Sequence, residues 1–224
     1  MTRVSGSIGY PSYKDLDPFI DVERLRSLDD YITERLSRRM ARENEDLAFY
    51  TGPFQLGEDA PQLPGSQMVY LSRSTRAENY YDLNDPAVWR PSEEAGEFSE
   101  LMDFIETLPF QSRGRMLIIY DASGRAVTAH RDHDSQELCH EFVWFRTNFA
   151  KPFYMLDAAS GDKLYVQSHA AWFDTVNQFH GADACDGLSF SIRVDGVFTD
   201  EFRSQIPFPR TNRSAAPSRW AAAA

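Results

Sequence analysis

From Pro109 onward, turn signals cut the sequence into short β-forming runs, and this rhythm constrains the fold more than any other feature. Arg115 to Tyr120 is a strand-like apolar run, Asp121 to Gly124 reads as a turn, and Ala126 to Asp132 reads as the returning strand. Glu141 to Asn148 is rich in aromatic and β-branched residues. Phe153 to Leu156 and Lys163 to Gln167 flank a Ser160-Gly161-Asp162 turn, and Ala171 to Thr175 and Leu188 to Phe198 follow. About seven short strands at 8–12-residue spacing predict an antiparallel sandwich or barrel.

The first half has a different texture. After Asp21, a possible N-cap, apolar residues recur at Leu25, Leu28, Ile32, Leu36 and Met40, one stripe of a helix whose charged remainder is a solvated face. Residues 51–66 are rich in proline and glycine and read as loop, Gln67 to Leu71 as a short strand. Pro91-Ser92-Glu93-Glu94 is a start signal for a helix through Phe98, Leu101, Met102 and Ile105. The fold class expected is α+β with a mainly β core. Residues 1–112 are the helical N-terminal portion packed on the barrel, 113–209 the β core, and 210–224 a flexible tail ending in four alanines.

Charge and composition remove several function classes. The 224 residues carry 23 Lys+Arg against 34 Asp+Glu, a net charge of −11. Nothing there supplies a broad footprint for phosphates, so nucleic acid is not expected as a partner. Met116-Leu117-Ile118-Ile119-Tyr120 is too short to span a membrane, and Met1 to Lys14 lacks the apolar region of a secretory signal. Two cysteines, Cys139 and Cys185, cannot build a disulfide framework and fit a reducing compartment, so a cytoplasmic location is expected.

The five histidines all fall between positions 130 and 180. On a strand, residues i and i+2 share a face. His130-Arg131-Asp132 therefore aims an imidazole and a carboxylate at one point, with Arg131 turned away. His180, in a short loop (Asn177 to Asp183), is the best third ligand. Two His and one carboxylate leave three adjacent positions of an octahedral metal open, the arrangement of non-haem iron(II) oxygenases. Arg193, mid-strand in Phe190-Ser191-Ile192-Arg193-Val194, needs a buried anion, and the carboxylate of a co-substrate is a natural bidentate partner. Other chemistries lack their residues. Two isolated cysteines make no structural zinc site, and HExxH, Gly-x-Ser-x-Gly, a P-loop and a dinucleotide fingerprint are absent.

His130-x-Asp132, His180 and Arg193 in a β-rich C-terminal half resemble the iron(II)/2-oxoglutarate-dependent oxygenases with a double-stranded β-helix (jelly-roll, cupin-like) core. Within them the chain is similar to the aspartyl/asparaginyl β-hydroxylase-like branch, which includes bacterial free-amino-acid hydroxylases. Phe145-Arg146-Thr147-Asn148 resembles an Arg-x-His segment of that branch, with Asn148 in place of the usual His. Trp172-Phe173-Asp174-Thr175 resembles its Trp/Phe-Asp segment. The likeness covers about residues 113–203.

The resemblance implies iron(II) held by His130, Asp132 and His180, with 2-oxoglutarate and O₂ as co-substrates. Arg193 would bind the distal carboxylate of 2-oxoglutarate, with Asp195 where other branches carry Ser or Thr. Arg146, Asn148 and Tyr120 would line the co-substrate site. The residues from Asp134 to His140 would form an extra loop over it. For a small, amino-acid-like substrate the expected contacts are Arg131, Asp134 and Trp172, with Arg146 and Glu137 as further candidates. A carboxylate at position 132, where halogenating relatives carry Gly, implies hydroxylation. His133, His140 and His169 read as solvated or structural, and Cys139 and Cys185 as small packing groups. Two other readings remain: the same chemistry on a peptidyl or carrier-bound side chain, or as desaturation or cyclisation, and a non-catalytic cupin-like binding module.

Overall fold

The computed structural model describes residues 13–42, 66–75, 87–122, 124–132, 141–157 and 159–206. Asp21 caps the first helix as its sequence suggests, its carboxylate accepting the Arg24 N–H at 2.9 Å. The stripe it opens is shared by two helices, α1 (Val22–Ser27) and α2 (Asp29–Arg42), rather than one. Leu25, Leu28, Ile32 and Leu36 are all buried across the break. At the break, the Asp29 carboxylate accepts from the Thr147 hydroxyl and the Asn148 amide, tying α2 to the sheet. The expected second helix begins later than Pro91. A 3₁₀ turn (Glu94–Phe98) leads into α3 (Ser99–Ile105), which buries Leu101, Phe104 and Ile105.

The N-terminal half is not simply helical. It also contributes β1 (Tyr13–Asp15), β2 (Ser66–Tyr70), and the pair β3 (Ser72–Ser74) and β4 (Trp89–Pro91). The long strand β5 (Phe110–Asp121) starts before residue 113. Seven further strands follow: β6 (Val127–His130), β7 (Phe142–Phe145), β8 (Phe153–Leu156), β9 (Lys163–Tyr165), β10 (Ala170–Phe173), β11 (His180–Ala182) and β12 (Ser189–Phe198). A short helix α4 (Asp200–Arg203), capped by Thr199, closes the described chain.

Strand order identifies the architecture. The six-stranded sheet runs β1-β10-β7-β12-β5-β2 and the four-stranded sheet β6-β11-β8-β9. From β5 to β12 the antiparallel pairing is nested: β5 with β12, β6 with β11, β7 with β10, and β8 with β9. Winding this nested hairpin into two sheets adds the β12–β7 and β11–β8 pairs and makes an eight-stranded jelly roll, or double-stranded β-helix. The strands β1 and β2 extend the larger sheet at its two edges.

Two local expectations fail for the same reason. The strands β5 and β6 were expected to form a hairpin, yet β6 pairs with β11 in the other sheet. At the crossing, Gly124 has φ +65°, and a Cβ there would stand 2.0 Å from the Cys185 carbonyl oxygen. His180 was expected in a loop and instead opens β11. A three-residue His-Gly-Ala segment has little strand signal of its own. It becomes a strand because β6 and β8 offer it backbone partners on both sides.

The larger sheet has two apolar faces. Ile118, Tyr120, Phe145 and Ile192 alternate onto the helix-covered face, where the Phe145 ring lies 5.5 Å from that of Phe104 in α3. Leu117, Phe142, Trp144, Phe173 and Arg193 face the smaller sheet. Trp144 stacks there on Phe153 of β8, with ring centroids 4.6 Å apart. The interior between the sheets holds the candidate site.

Candidate metal centre

The two histidines are cross-strand partners. His180 on β11 is paired with His130 on β6, and their ring centroids are 4.5 Å apart. Side chains of directly opposed residues share a face, so the pairing aims both imidazoles the same way. Asp132 lies just past the end of β6, so strand alternation alone does not orient it. Its backbone N–H donates to the Thr175 carbonyl at 2.8 Å and carries the chain on in the required direction.

Asp132 Oδ1 lies 3.7 Å from His130 Nε2 and 3.6 Å from His180 Nε2. The three ligand atoms all lie within 4.8 Å of one another, a group that could hold a metal ion. The tautomers suit that task. His130 Nδ1 donates to the Thr128 carbonyl (2.9 Å) and His180 Nδ1 to the Gln178 carbonyl (3.0 Å). A carbonyl oxygen can only accept, so each Nδ1 carries a proton, and Nε2 is the ring atom of each histidine that faces the carboxylate and would ligate a metal. Two neutral nitrogens and one carboxylate oxygen match an octahedral divalent metal with open positions.

The carboxylate's second oxygen is also engaged. Arg193 Nη1 donates to Asp132 Oδ2 at 3.2 Å, which favours coordination through Oδ1 alone. Burial would raise the pKa of Asp132, but the hydrogen bond and charge of His180, then Arg193 and His130, outweigh it and hold the carboxyl well below the usual range. The Arg193 guanidinium lies over the Phe142 ring, 4.1 Å from its centroid. Its Nε donates to Asp195 Oδ1 at 3.0 Å, and Arg115 Nε holds Asp195 Oδ2 at 2.9 Å. Asp195 is fully buried.

Of the residues expected around this centre, the structure gathers His130, Asp132, His180 and Arg193, and draws others elsewhere. Arg146 donates to the carbonyls of Ser168, Lys151 and Val166 and lies over the Trp144 and Phe149 rings, so it organises loops. Asn148 binds Asp29 at the start of α2. Tyr120 stands on the helix-covered face, opposite Arg193. Trp172 alternates away from Ala171 and its partner Trp144. These contacts do not fit a co-substrate role for Arg146, Asn148 or Tyr120, or a substrate role for Trp172. Each stands one residue out of phase or is already held by local carbonyl or carboxylate groups.

Arg131 is exposed and turned away from the triad, its guanidinium 4.8 Å from the Phe179 centroid. His169 is buried, with Nδ1 bonded to the Arg146 carbonyl and its ring beside Phe149. Asp134, Glu137, His133, His140 and Cys139 lie outside the described residues. Sequence reasoning missed Arg115. It bears the signal that exposed Arg193, an arginine in an apolar strand.

No family model matches the chain, and no curated protein matches it in sequence. Solved structures similar to it include a prolyl-4-hydroxylase from Pseudomonas putida, 11% identical, covering 84% of this chain and 93% of that one, with a TM-score of 0.47. A Trichoplax adhaerens prolyl hydroxylase, in complex with an oxygen degradation domain peptide of hypoxia inducible factor, is 10% identical, with 88% of each chain covered and a TM-score of 0.48. A Burkholderia pseudomallei oxidoreductase of the 2OG-Fe(II) oxygenase family is 8% identical, covering 60% and 69%, with a TM-score of 0.38. The strand order and the triad stand independently of these likenesses. Among the described residues, no helix is long and apolar enough to cross a membrane.

Proposed function

We propose that the chain is an iron(II)- and 2-oxoglutarate-dependent dioxygenase that hydroxylates a carbon of a small polar substrate, an amino acid or its derivative. The observation that carries this reading is the convergence of His130 Nε2, His180 Nε2 and Asp132 Oδ1 inside a jelly roll, with Arg193 beside them. When bound, iron(II) with 2-oxoglutarate and O₂ supplies the oxidising chemistry, placing one oxygen atom in the substrate and the other in succinate, with release of CO₂.

The chain's own contribution is positional. The Thr128 and Gln178 carbonyls fix the two imidazoles as Nε2 donors to a metal. Arg193, with His180, helps keep Asp132 ionised and occupies its Oδ2, so Oδ1 is the oxygen that would ligate a metal. The same guanidinium, on the interior face of β12, is the group available to the far carboxylate of 2-oxoglutarate. Phe173 and Phe153, backed by Phe142 and Trp144, form an apolar wall beside His180. The Phe173 and Phe153 rings lie 5.1 and 5.9 Å from its centroid. An apolar wall of this kind limits side reactions of a strong oxidant. The branch resemblance gains nothing from Arg146 and Asn148, which are held elsewhere; the reaction class does not depend on them.

The test is succinate formation from 2-oxoglutarate with iron(II), across a panel of free amino acids and short peptides monitored by mass. A gain of one oxygen is expected on a free amino acid, with turnover abolished in His130→Ala and Asp132→Ala. Modification of peptides alone would move the substrate to a polypeptide side chain. A loss of two hydrogens would replace hydroxylation by desaturation. A folded protein that binds no iron(II) and leaves 2-oxoglutarate intact would make the jelly roll a binding module.

A further inference from the structure

Asp195 is shared between two buried arginines, one to each oxygen. Arg193 Nε and Nη2 hold Oδ1 at 3.0 and 2.9 Å, and Arg115 Nε holds Oδ2 at 2.9 Å. The β12–β5 register shifts between Val194 and Gly196, and Asp195 sits at that irregularity, facing Phe142 on β7. Beyond Asp195, Arg193 reaches the candidate metal ligand Asp132. A chain of alternating charge thus runs from the wall of the barrel to the metal centre: Arg115, Asp195, Arg193, Asp132.

A carboxylate two residues from an anion-binding arginine should blunt it, because an already paired guanidinium has little attraction left for a second anion. Arg115 counters that effect by drawing one oxygen of Asp195 to itself. We infer that Arg115, acting through Asp195, is a positioning residue for the co-substrate site: it keeps Arg193 aimed at the metal centre and electrostatically available to an incoming dicarboxylate. The inference rests on the oxygenase reading for the identity of that dicarboxylate. It adds a residue on β5 which touches neither metal nor co-substrate and yet sets the affinity for both.

The consequence has a sign that simple loss of packing would not reproduce. Without Arg115, the whole charge of Asp195 falls to Arg193, pulling it from Asp132 and from any anion. Asp132 then becomes a better ligand for a cation, and the pocket a poorer one for an anion. In Arg115→Gln, Mn(II) should bind more tightly and 2-oxoglutarate, added at saturating Mn(II), more weakly, each by about ten-fold. Both affinities are read by calorimetric titration of the full chain, with no turnover required. Arg115→Lys, which restores the charge, should return both toward their starting values and guards against a Gln variant that fails to fold.

Opposite shifts with recovery in the lysine variant support the inference. Affinities that fall together, or that stay unchanged in Arg115→Gln, overturn it while leaving the oxygenase reading in place. Uptake of Mn(II) but not 2-oxoglutarate by the unaltered chain overturns both.

Discussion

Gly181 offers a direct way to disturb the metal centre without touching a ligand. It is the middle residue of β11, between β6 and β8 and next to His180. A Cβ at this position would stand 2.6 Å from the Tyr154 hydroxyl, 2.8 Å from Tyr154 Cζ and 2.7 Å from the Val127 carbonyl oxygen. The tyrosine ring can swing aside. The Val127 carbonyl cannot, because it belongs to the backbone of β6, the strand that carries His130. Gly181→Ala should therefore be relieved by moving β6 away from β11, which separates the paired histidines. Overpacking of this kind costs about 1–3 kcal/mol, and a domain of this size loses roughly 2–4 °C of Tm per kcal/mol, so Tm should fall by roughly 2–12 °C. Thermal unfolding followed by circular dichroism measures that loss, and repeating it with Mn(II) measures the site. A cation at 100 times its Kd stabilises the fold that binds it by about 2.7 kcal/mol. That increment should be present in the unaltered chain and much reduced in Gly181→Ala. An unchanged Tm with the full Mn(II) increment would refute the argument that β11 spacing sets the ligand pair.

Other perturbations separate structural groups from site groups. Arg146→Met should leave three carbonyls, two of them buried, without this donor and cost about 3 kcal/mol in urea unfolding; its surviving folded fraction should bind 2-oxoglutarate as before, as should Asn148→Ala. A weakened co-substrate affinity in either would return that residue to the site. Asp132 should also mark the acid limb of stability. Its folded-state pKa lies below the ordinary 3.8, so as pH falls the unfolded chain takes up the proton first. The stabilisation is complete above about pH 4 and lost as pH drops toward the folded pKa. Urea midpoints between pH 5 and pH 2.5 should fall less steeply for Asp132→Asn than for the unaltered chain. Equal slopes would show that Asp132 is not held ionised.

Much of the β core is legible in the chain because half-buried strands need alternating side chains and turns need special residues. Arg115 to Tyr120 and Phe153 to Leu156 carry enough β-forming character to be read locally. The motif His130-x-Asp132 and the lone strand arginine Arg193 are also visible, since a charged group in an apolar run demands a partner. What failed locally was partner choice. The segment from Val127 to His130 reads as the return arm of a hairpin, because nothing in it records that β5 ends on one sheet and β6 begins on the other. The three residues of β11 have no strand signature, yet they set the spacing of both histidines. Arg146 and Asn148 resembled site residues by order along the chain, but Lys151, Val166 and Ser168 supply carbonyls to one and Asp29 a carboxylate to the other.

Residue order alone makes this chain mainly β and supplies two histidines, an aspartate and an arginine of the kinds that serve a metal and an anion. Periodicity, turn chemistry and the cost of an unpaired charge are local properties, and these follow from them. It takes the folded core to set His130 against His180, to divide the two oxygens of Asp132 between the imidazoles and Arg193, and to share Asp195 between Arg115 and Arg193. Those contacts join residues far apart in the chain. They arise because the nested strands wind into two sheets, and a register that brings β6 to β11 and β5 to β12 is fixed only when the whole core packs at once.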